Sequence, residues 1–215
     1  DFLVVIAYGM ILKKEILKLP KIAAINVHAS LLPKYRGASP IQEALLHGDE
    51  ETGISIIKIN EKMDQGDIYL IKRLVIDKND NFLSLSKKLA NLSADLLPKV
   101  LEDIDENNLT PIAQNHSKAS YCHKIEKSDG KIDFQKSAEE IKNSIRAYTP
   151  WPSVFTEIKG KKLKIIEVQV ESTNLKPGEF KIENGNLKLG TKKGSLSLKK
   201  VQIEGKNEME IKQFL

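Results

Sequence analysis

The pattern of apolar residues changes near residue 107, and this change constrains the fold more than any other feature of the sequence. Before residue 107, continuous apolar runs alternate with stretches of helical spacing, which is typical of α/β domains. After it, a polar stretch and one helix lead into a series of short strand-forming runs from residue 153, which is typical of small β-barrels such as the OB-fold. Hydrophobic residues make up 40% of the 215 residues, enough to bury a core and exclude intrinsic disorder. We therefore expect an α/β domain followed by a small β-barrel.

The first half contains the expected elements of a parallel α/β sheet. The apolar run at residues 2–7 predicts a strand buried on both faces, and residues 23–27 predict a second strand. A short helix is expected at residues 10–19, because Pro20 must end it. The remaining predicted elements are helices at residues 40–47 and 82–103 and strands at residues 52–58 and 68–76.

A polar stretch separates the two halves. Residues 107–120 contain Pro111 and lack a sustained period, which predicts a linker. Beyond it, Ser137 and Glu140 form the capping-box pattern that begins a helix. Five short strands are then expected, with turns at Gly160, Asn184-Gly185 and Gly194, and they fall at residues 153–158, 163–170, 178–182, 187–189 and 196–203. The expected organisation is an α/β domain at residues 1–106, a linker at 107–127 and a β-barrel at 128–215.

Charge and cysteine content bear on partners and location. Residues 1–112 carry 14 Lys and Arg against 16 Asp and Glu, whereas residues 113–215 carry 20 against 13. The net charges of −2 and +7 make the second half the part suited to a polyanion. A single cysteine, Cys122, favours a reducing, cytoplasmic setting. The longest apolar run, residues 2–7, is far too short to span a membrane.

Three polar residues have the composition of a catalytic site. Asn26 and His28 lie two apart at the end of a predicted strand, so both side chains share one face. Asp64 lies in a turn of sequence MDQGD. An amide, an imidazole and a carboxylate that converge supply an oxyanion donor, a proton-transfer group and a group that orients it. An Asn-x-His pair is common, however, and taken alone it more often has no catalytic role.

Longer motifs surround these residues. The stretch INVHASLLPKYRGASPIQ at residues 25–42 resembles the signature of the folate-dependent formyltransferases, and among them the branch that acts on methionyl-tRNA. The resemblance continues downstream, in the expected order, in ETGIS at residues 51–55, MDQGDI at residues 63–68 and IRAYTPWP at residues 145–152.

The resemblance implies a fold and a reaction. It implies a Rossmann-like formyltransferase domain joined by a linker to an OB-like tRNA-binding domain, in a cytoplasmic monomer. Asn26, His28 and Asp64 match the family's catalytic trio, which transfers a formyl group from 10-formyltetrahydrofolate to the α-amine of methionyl-initiator tRNA. The resemblance covers the C-terminal two-thirds of such an enzyme, without its opening strands and a tRNA-contacting loop, so we expect a fragment of a longer protein.

The segment Ser30, Leu31, Leu32 and Pro33 matches the part of the family that lies along the folate. The two leucines supply the apolar wall that a pterin and a benzoyl ring need, although plain core packing of both leucines is the alternative. Lys34 and Arg36 follow this segment, and each is expected to meet the folate tail, the acceptor end of tRNA or solvent.

The remaining candidates concern metal and nucleic acid. No metal is required by this chemistry, and His116, Cys122 and His123 make a poor zinc set, so they are expected to pack or face solvent. Lysines are concentrated in the second half and are expected to form a phosphate-facing patch; they are Lys159, Lys161, Lys162, Lys164, Lys192, Lys193, Lys199 and Lys200.

Two other functions stay open at this point. One is an N-formyltransferase acting on an amino sugar or another small amine through the same trio. The other is an inactive tRNA-binding fragment whose incomplete sheet does not hold folate productively. The basic second half disfavours the first of these, because a small substrate needs no phosphate-tracking domain.

Overall fold

The computed structural model describes residues 1–158, 160–173, 175–183 and 185–215. Lys159 of the expected lysine patch and Asn184 of the expected turn therefore lie outside the described residues. The chain divides into two compact units, the first made of residues 1–44, 49–80 and 84–124 and the second of residues 45–48, 81–83 and 125–215. Among the helices of the described chain, none is long and apolar enough to cross a membrane.

The first unit is built on a four-stranded mixed sheet. Its elements are β1 (Phe2–Val5), α1 (Lys14–Leu17), β2 (Ala23–His28), β3 (Arg36–Gly37), α2 (Pro40–His47), β4 (Glu51–Lys58), β5 (Ile68–Val75), α3 (Phe82–Asp105) and β6 (Tyr121–Cys122). The order in the sheet is β1-β2-β4-β5, with β1 parallel to β2 and the other neighbouring pairs antiparallel. Strands β3 and β6 form a separate parallel pair.

Two of the expected elements in this unit are wrong in extent. The first strand ends at Val5 and is only half-buried, with Val4 37% exposed, because it pairs with β2 alone at the edge of the sheet. The helix expected at residues 10–19 is reduced to α1, four residues long, and it has no buried residue to hold a longer helix against the sheet. The strand at residues 23–27 is confirmed, extended by His28.

The other expected elements of the unit are confirmed. Helix α2 has the predicted bounds, and β4, β5 and α3 differ from prediction by one or two residues at their ends. The buried residues of α3 recur at helical spacing along one face, and they are Leu85, Leu89, Ser93, Val100 and Ile104.

The second unit is built on a six-stranded antiparallel sheet. Its elements are α4 (Ala138–Tyr148), β7 (Val154–Ile158), β8 (Lys161–Glu171), β9 (Phe180–Glu183), β10 (Asn186–Gly190), β11 (Ser195–Ile203), β12 (Met209–Glu210) and α5 (Ile211–Phe214). The order is β7-β8-β11-β10-β9, and β12 pairs with β11. The five predicted strands are thus confirmed, while β12 and α5 are too short to carry a readable pattern.

Helix α4 begins where the capping box predicts. The Ser137 hydroxyl accepts a hydrogen bond from the Glu140 backbone N–H, and the Glu140 carboxylate accepts one from the Ser137 backbone N–H at 2.8 Å. Two N–H groups that the first turn leaves without helical partners are satisfied in this way.

The segment expected as a linker packs largely within the first unit. Residues up to Lys124 belong to that unit, Ile112 forms a bridge with Ile68, and Gln114 is only 6% exposed. Most polar side chains of residues 107–120 are exposed, and Gln114 is the buried one, held by hydrogen bonds that sequence periodicity does not register. The assignment of residues 1–106 to a catalytic domain, 107–127 to a linker and 128–215 to a tRNA-binding domain stays a prediction.

Candidate active site

Strand β2 carries two of the three expected site residues on one face. Because side chains alternate along a strand, Asn26 and His28 project together while Ile25 and Val27 project to the opposite face. The register places Asn26 opposite Ile57 and His28 opposite Ser55 of β4. His28 is 6% exposed and Asn26 is half-buried.

The loop between β4 and β5 brings Asp64 onto this face. The Lys58 backbone N–H donates to the Asp67 carbonyl at 2.8 Å, which closes the loop. At Gly66 an added Cβ would lie 1.6 Å from the Lys58 carbonyl oxygen, so only glycine permits this approach. Asp64 itself has a φ of +52°, a left-handed conformation that aspartate tolerates better than most residues.

The structure brings Asn26, His28 and Asp64 together. The Asn26 Nδ2 donates to Asp64 Oδ1 at 3.4 Å, and His28 Nδ1 lies 3.6 Å from the same oxygen. The other carboxylate oxygen, Oδ2, accepts the Gly37 backbone N–H at 2.8 Å. The Asp64 carboxylate is therefore held between two site side chains and a backbone donor. The second N–H of the Asn26 amide has no part in the contact with Asp64.

The partners of His28 determine how its ring can act. Nε2 lies 2.8 Å from the Tyr35 carbonyl, which only accepts, so Nε2 carries a proton. Nδ1 lies 3.6 Å from Asp64 Oδ1, which is an ion-pair distance too long for a hydrogen bond. Of the two contacts the one at Nδ1 is the longer, so Nδ1 is the nitrogen that can exchange a proton with a bound molecule.

The expected folate segment divides into buried and accessible residues. Ser30 is fully buried, and its hydroxyl donates to the Lys34 carbonyl at 2.6 Å. Its carbonyl accepts the Ser55 hydroxyl at 2.7 Å, and that hydroxyl accepts the Leu32 backbone N–H at 3.0 Å. Ser30 thus holds the loop, while Leu31 and Pro33 remain partly exposed. Contact of these four residues with folate stays a prediction.

Leu31 and Leu32 line a cavity of about 300 Å³ in the first unit. The Tyr35 hydroxyl on its wall donates to the Asp49 carboxylate at 2.8 Å. Burial, assisted by the hydrogen bond to Asp49, raises the pKa of Tyr35, so the ring stays neutral and anchored. The charged lining consists of Lys34, Asp49, Glu50, Glu51 and Arg73.

Arg36 corrects one expectation from the sequence. It is 1% exposed and meets neither ligand nor solvent, because its guanidinium contacts Gln114, His116 and Tyr121. Lys34, by contrast, is exposed as expected. Tyr35 is a site neighbour inside the motif of residues 25–42, to which the sequence alone assigns no role. Gln114 lies outside every motif, and its only sequence signal is a polar residue in the segment expected to be a linker.

His116 and Cys122, two residues of the poor zinc set, have contacts with Arg36. His116 Nδ1 lies 2.9 Å from Arg36 Nη2, and the Cys122 thiol donates to the Arg36 carbonyl at 3.3 Å. Burial raises the pKa of Cys122, which keeps the thiol protonated. In the part of the chain that the structure describes, no three His, Cys, Asp or Glu side chains group as a metal ion would require.

An amide, an imidazole and a carboxylate around one strand end are the groups that acyl-transfer enzymes place about a reacting carbonyl. The chain matches the formyl transferase family over residues 1–101 and the formyl transferase C-terminal domain over residues 124–215, and it belongs to this family. The resemblance found in the sequence is thereby confirmed.

Its similar relatives are named methionyl-tRNA formyltransferase. The one from Caldicellulosiruptor saccharolyticus is 43% identical over 100% of this chain and 70% of its own length. The one from Nitratiruptor is 45% identical with the same coverage. The one from Sulfurihydrogenibium is 46% identical over 81% of this chain and 56% of its own length.

Solved structures share the fold. HypX from Aquifex aeolicus, in complex with tetrahydrofolic acid, matches 100% of this chain and 38% of its own, with a TM-score of 0.73 and 16% identity. An N-formyltransferase from Helicobacter canadensis, in complex with folinic acid and dTDP-3-aminofucose, matches 89% of this chain and 70% of its own. Its TM-score is 0.70 at 24% identity. At these identities the likeness concerns the fold alone.

Proposed function

We propose that this protein transfers the formyl group of 10-formyltetrahydrofolate to the α-amine of methionyl-initiator tRNA, for translation initiation. The proposal rests on sequence similarity along the whole chain. A relative that is 43% identical over 100% of this chain is named methionyl-tRNA formyltransferase. The convergence of Asn26, His28 and Asp64 supports the same reaction.

The reaction forms one carbon–nitrogen bond and breaks another. The α-amine attacks the formyl carbon, a tetrahedral oxyanion forms, and it collapses as the folate nitrogen leaves with the proton that the amine gives up. Asn26 donates its second amide N–H to the oxyanion, and removing a donor of this type costs about 2.7–4 kcal/mol of barrier. His28 relays the proton through Nδ1, and Asp64 holds the ring in place.

The cavity beside Leu31 and Leu32 supports an aromatic part of the folate rather than its acidic tail. Three carboxylates, Asp49, Glu50 and Glu51, and two cations, Lys34 and Arg73, line it, which makes it net negative. Ion pairing between Arg73 and Glu51 neutralises part of that charge. A neutral ring against Leu31 fits such a lining better than glutamate carboxylates do.

The lysines of the second unit differ in their availability to phosphate. Lys188 pairs with Glu171 and Glu183, and Lys200 pairs with Glu208 at 2.9 Å. Lys162 and Lys164 instead share one face of β8, and Lys162 Nζ lies 3.4 Å from the centre of the Phe155 ring.

The charges around Lys162 also favour phosphate binding at this face of β8. Burial lowers the pKa of Lys162, and the neighbouring Lys127 and Lys164 cations lower it further against the smaller, opposite effect of Glu204. Cations that repel one another bind an incoming anion favourably, because the anion relieves the repulsion. We assign tRNA phosphate contact to this face. We further propose that the second unit is OB-like, that the first is a Rossmann-like catalytic unit, and that the protein is a cytoplasmic monomer.

Reversing Lys162 and Lys164 to glutamate is expected to weaken binding of methionyl-tRNA and leave folate affinity unchanged. Removing one lysine–phosphate interaction flattens the salt dependence of tRNA binding by about one unit of slope. The measurement is tRNA affinity at several salt concentrations, together with folate titration, on the protein expressed from its complete reading frame.

Lys78→Glu with Lys87→Glu serves as the control, because it makes the same charge change at two exposed residues of the first unit. An unchanged salt slope in the Lys162 and Lys164 variant, or an equal flattening in the control, would place the tRNA contact elsewhere.

The amino-sugar alternative is favoured by one observation, the fold shared with a sugar-complexed N-formyltransferase. A direct test offers 10-formyltetrahydrofolate with either charged initiator tRNA or a dTDP-amino sugar and compares kcat/KM. We expect formyl-methionyl-tRNA as the product, with the sugar formylated far more slowly. A higher kcat/KM for the sugar would overturn the proposal. Folate titration addresses the inactive tRNA-binding alternative, which predicts no saturable binding.

A further inference from the structure

The first unit contains a fully buried arginine whose hydrogen-bond partners, among the described residues, carry no negative charge. Arg36 donates to the Gln114 carbonyl oxygen from Nε at 3.1 Å and from Nη2 at 2.6 Å, and to the Tyr121 hydroxyl from Nη1 at 3.2 Å. It also contacts His116 Nδ1, which must accept. A buried cation of this kind imposes a strict orientation on the groups around it.

That orientation matters most for Gln114. Because its Oε1 faces two guanidinium N–H groups, its Nε2 must point the other way. There it donates to the carbonyls of Asp64 at 2.8 Å and Gly66 at 2.7 Å. A flipped amide would set its NH2 against the guanidinium and its oxygen against two carbonyls, so this amide has a single acceptable orientation.

The two carbonyls belong to the loop that presents the Asp64 carboxylate. Asp64 occupies a left-handed backbone conformation, which persists only where the surroundings hold it. Gln114 holds the backbone on either side of Gln65, and the Gly37 N–H holds the carboxylate from the other side. Gly37 directly follows Arg36, so one short strand, β3, supplies both the carboxylate's donor and the arginine that orients Gln114.

We propose that Gln114, oriented by the buried Arg36, is a positioning residue for formyl transfer: it fixes the Asp64 loop so that the carboxylate meets His28 Nδ1 and Asn26. This inference rests on the proposed function. It assigns a role in the reaction to a residue some 50 positions from Asp64, in the segment expected to be a linker.

Gln114→Glu separates positioning from folding. The new carboxylate still accepts from Arg36, and it supplies the negative charge that the guanidinium lacks, so the fold is retained. It no longer donates to the carbonyls of Asp64 and Gly66, and its second oxygen repels them. Asn115→Asp is the matched control: it makes the same chemical change one residue away, at an exposed side chain whose oxygen accepts from Ser117.

In the protein expressed from its complete reading frame, we expect Gln114→Glu to lower kcat about 10- to 100-fold. The KM values for both substrates should change less than about threefold, and Tm should fall by no more than about 3 °C. Asn115→Asp should match wild type. A kcat for Gln114→Glu within about threefold of wild type would overturn the proposal, and so would a kcat loss accompanied by a larger fall in Tm.

A second readout does not depend on turnover. The ¹⁵N NMR signals of the His28 ring report its contact with Asp64, so Gln114→Glu should shift the Nδ1 signal and Asn115→Asp should not. If wild-type protein fails to formylate methionyl-tRNA, the proposed function is wrong, while this shift still tests the Gln114 contact. An unchanged Nδ1 signal would overturn the positioning role whatever the substrate.

Discussion

Replacing His28 with alanine is expected to lower kcat for formyl-methionyl-tRNA formation about 10²- to 10⁴-fold, the usual contribution of a positioned proton-transfer group. This corresponds to about 2.7–5.4 kcal/mol of barrier, at 1.36 kcal/mol for each factor of ten. KM for the formyl donor should change little, because the ring acts on the charge that develops during the reaction. Steady-state kinetics at saturating tRNA, together with Tm, make the measurement.

His47→Ala is the control for this experiment, because it removes an imidazole from the exposed end of α2. It should keep wild-type kcat. A His28→Ala variant that folds and turns over within about tenfold of wild type would remove His28 from the proton-transfer step.

Asp64→Asn is expected to lower kcat about 10²-fold or more while the protein folds normally. Asparagine tolerates the left-handed backbone conformation, and its side-chain oxygen can still accept the Gly37 N–H. What it loses is the negative charge facing His28 Nδ1 and the oxygen that accepts the Asn26 N–H, because that position becomes an NH2 group. The loss should therefore appear in kcat and not in Tm.

Asp95→Asn, on an exposed position of α3, makes the same substitution away from the site and should leave kcat unchanged. Near-normal turnover by Asp64→Asn would show that the carboxylate does not support His28. A parallel loss in both variants would point to a general charge effect.

The shared face of Asn26 and His28 follows from the sequence in a way that the position of Asp64 does not. Two residues two apart on a strand share a face whatever the tertiary structure, so the alternation along β2 was sufficient. Asp64 is 38 residues from Asn26, and only the resemblance to a family motif predicts that the two side chains share a site. Its position depends on a loop closed by Lys58 and Gly66, a long-range arrangement that periodicity does not encode.

The burial of Arg36 and Gln114 could not be predicted from the sequence. Sequence reasoning favours the surface for a charged residue after a turn, because burial of an unpaired cation is costly. Hydrogen bonds to Gln114, Tyr121 and His116 offset that cost, and these residues lie 78 to 85 residues away along the chain. Gln114 lies in residues 107–120, whose composition predicts a linker, and its hydrogen bonds run to residues far away along the chain. Mutual satisfaction of buried polar groups has no local pattern, so only the three-dimensional structure reveals it.

We expect formyl transfer to take place beside Asn26, His28 and Asp64. A crystal structure with folinic acid, a stable folate that carries its formyl group on N5 near the reactive N10, tests this placement. We expect electron density for the formyl group within hydrogen-bonding distance of Asn26 Nδ2, about 2.7–3.1 Å, with the rings of the folate against Leu31. A formyl group more than about 8 Å from Asn26 and His28, beyond reach even through a water, would contradict the account.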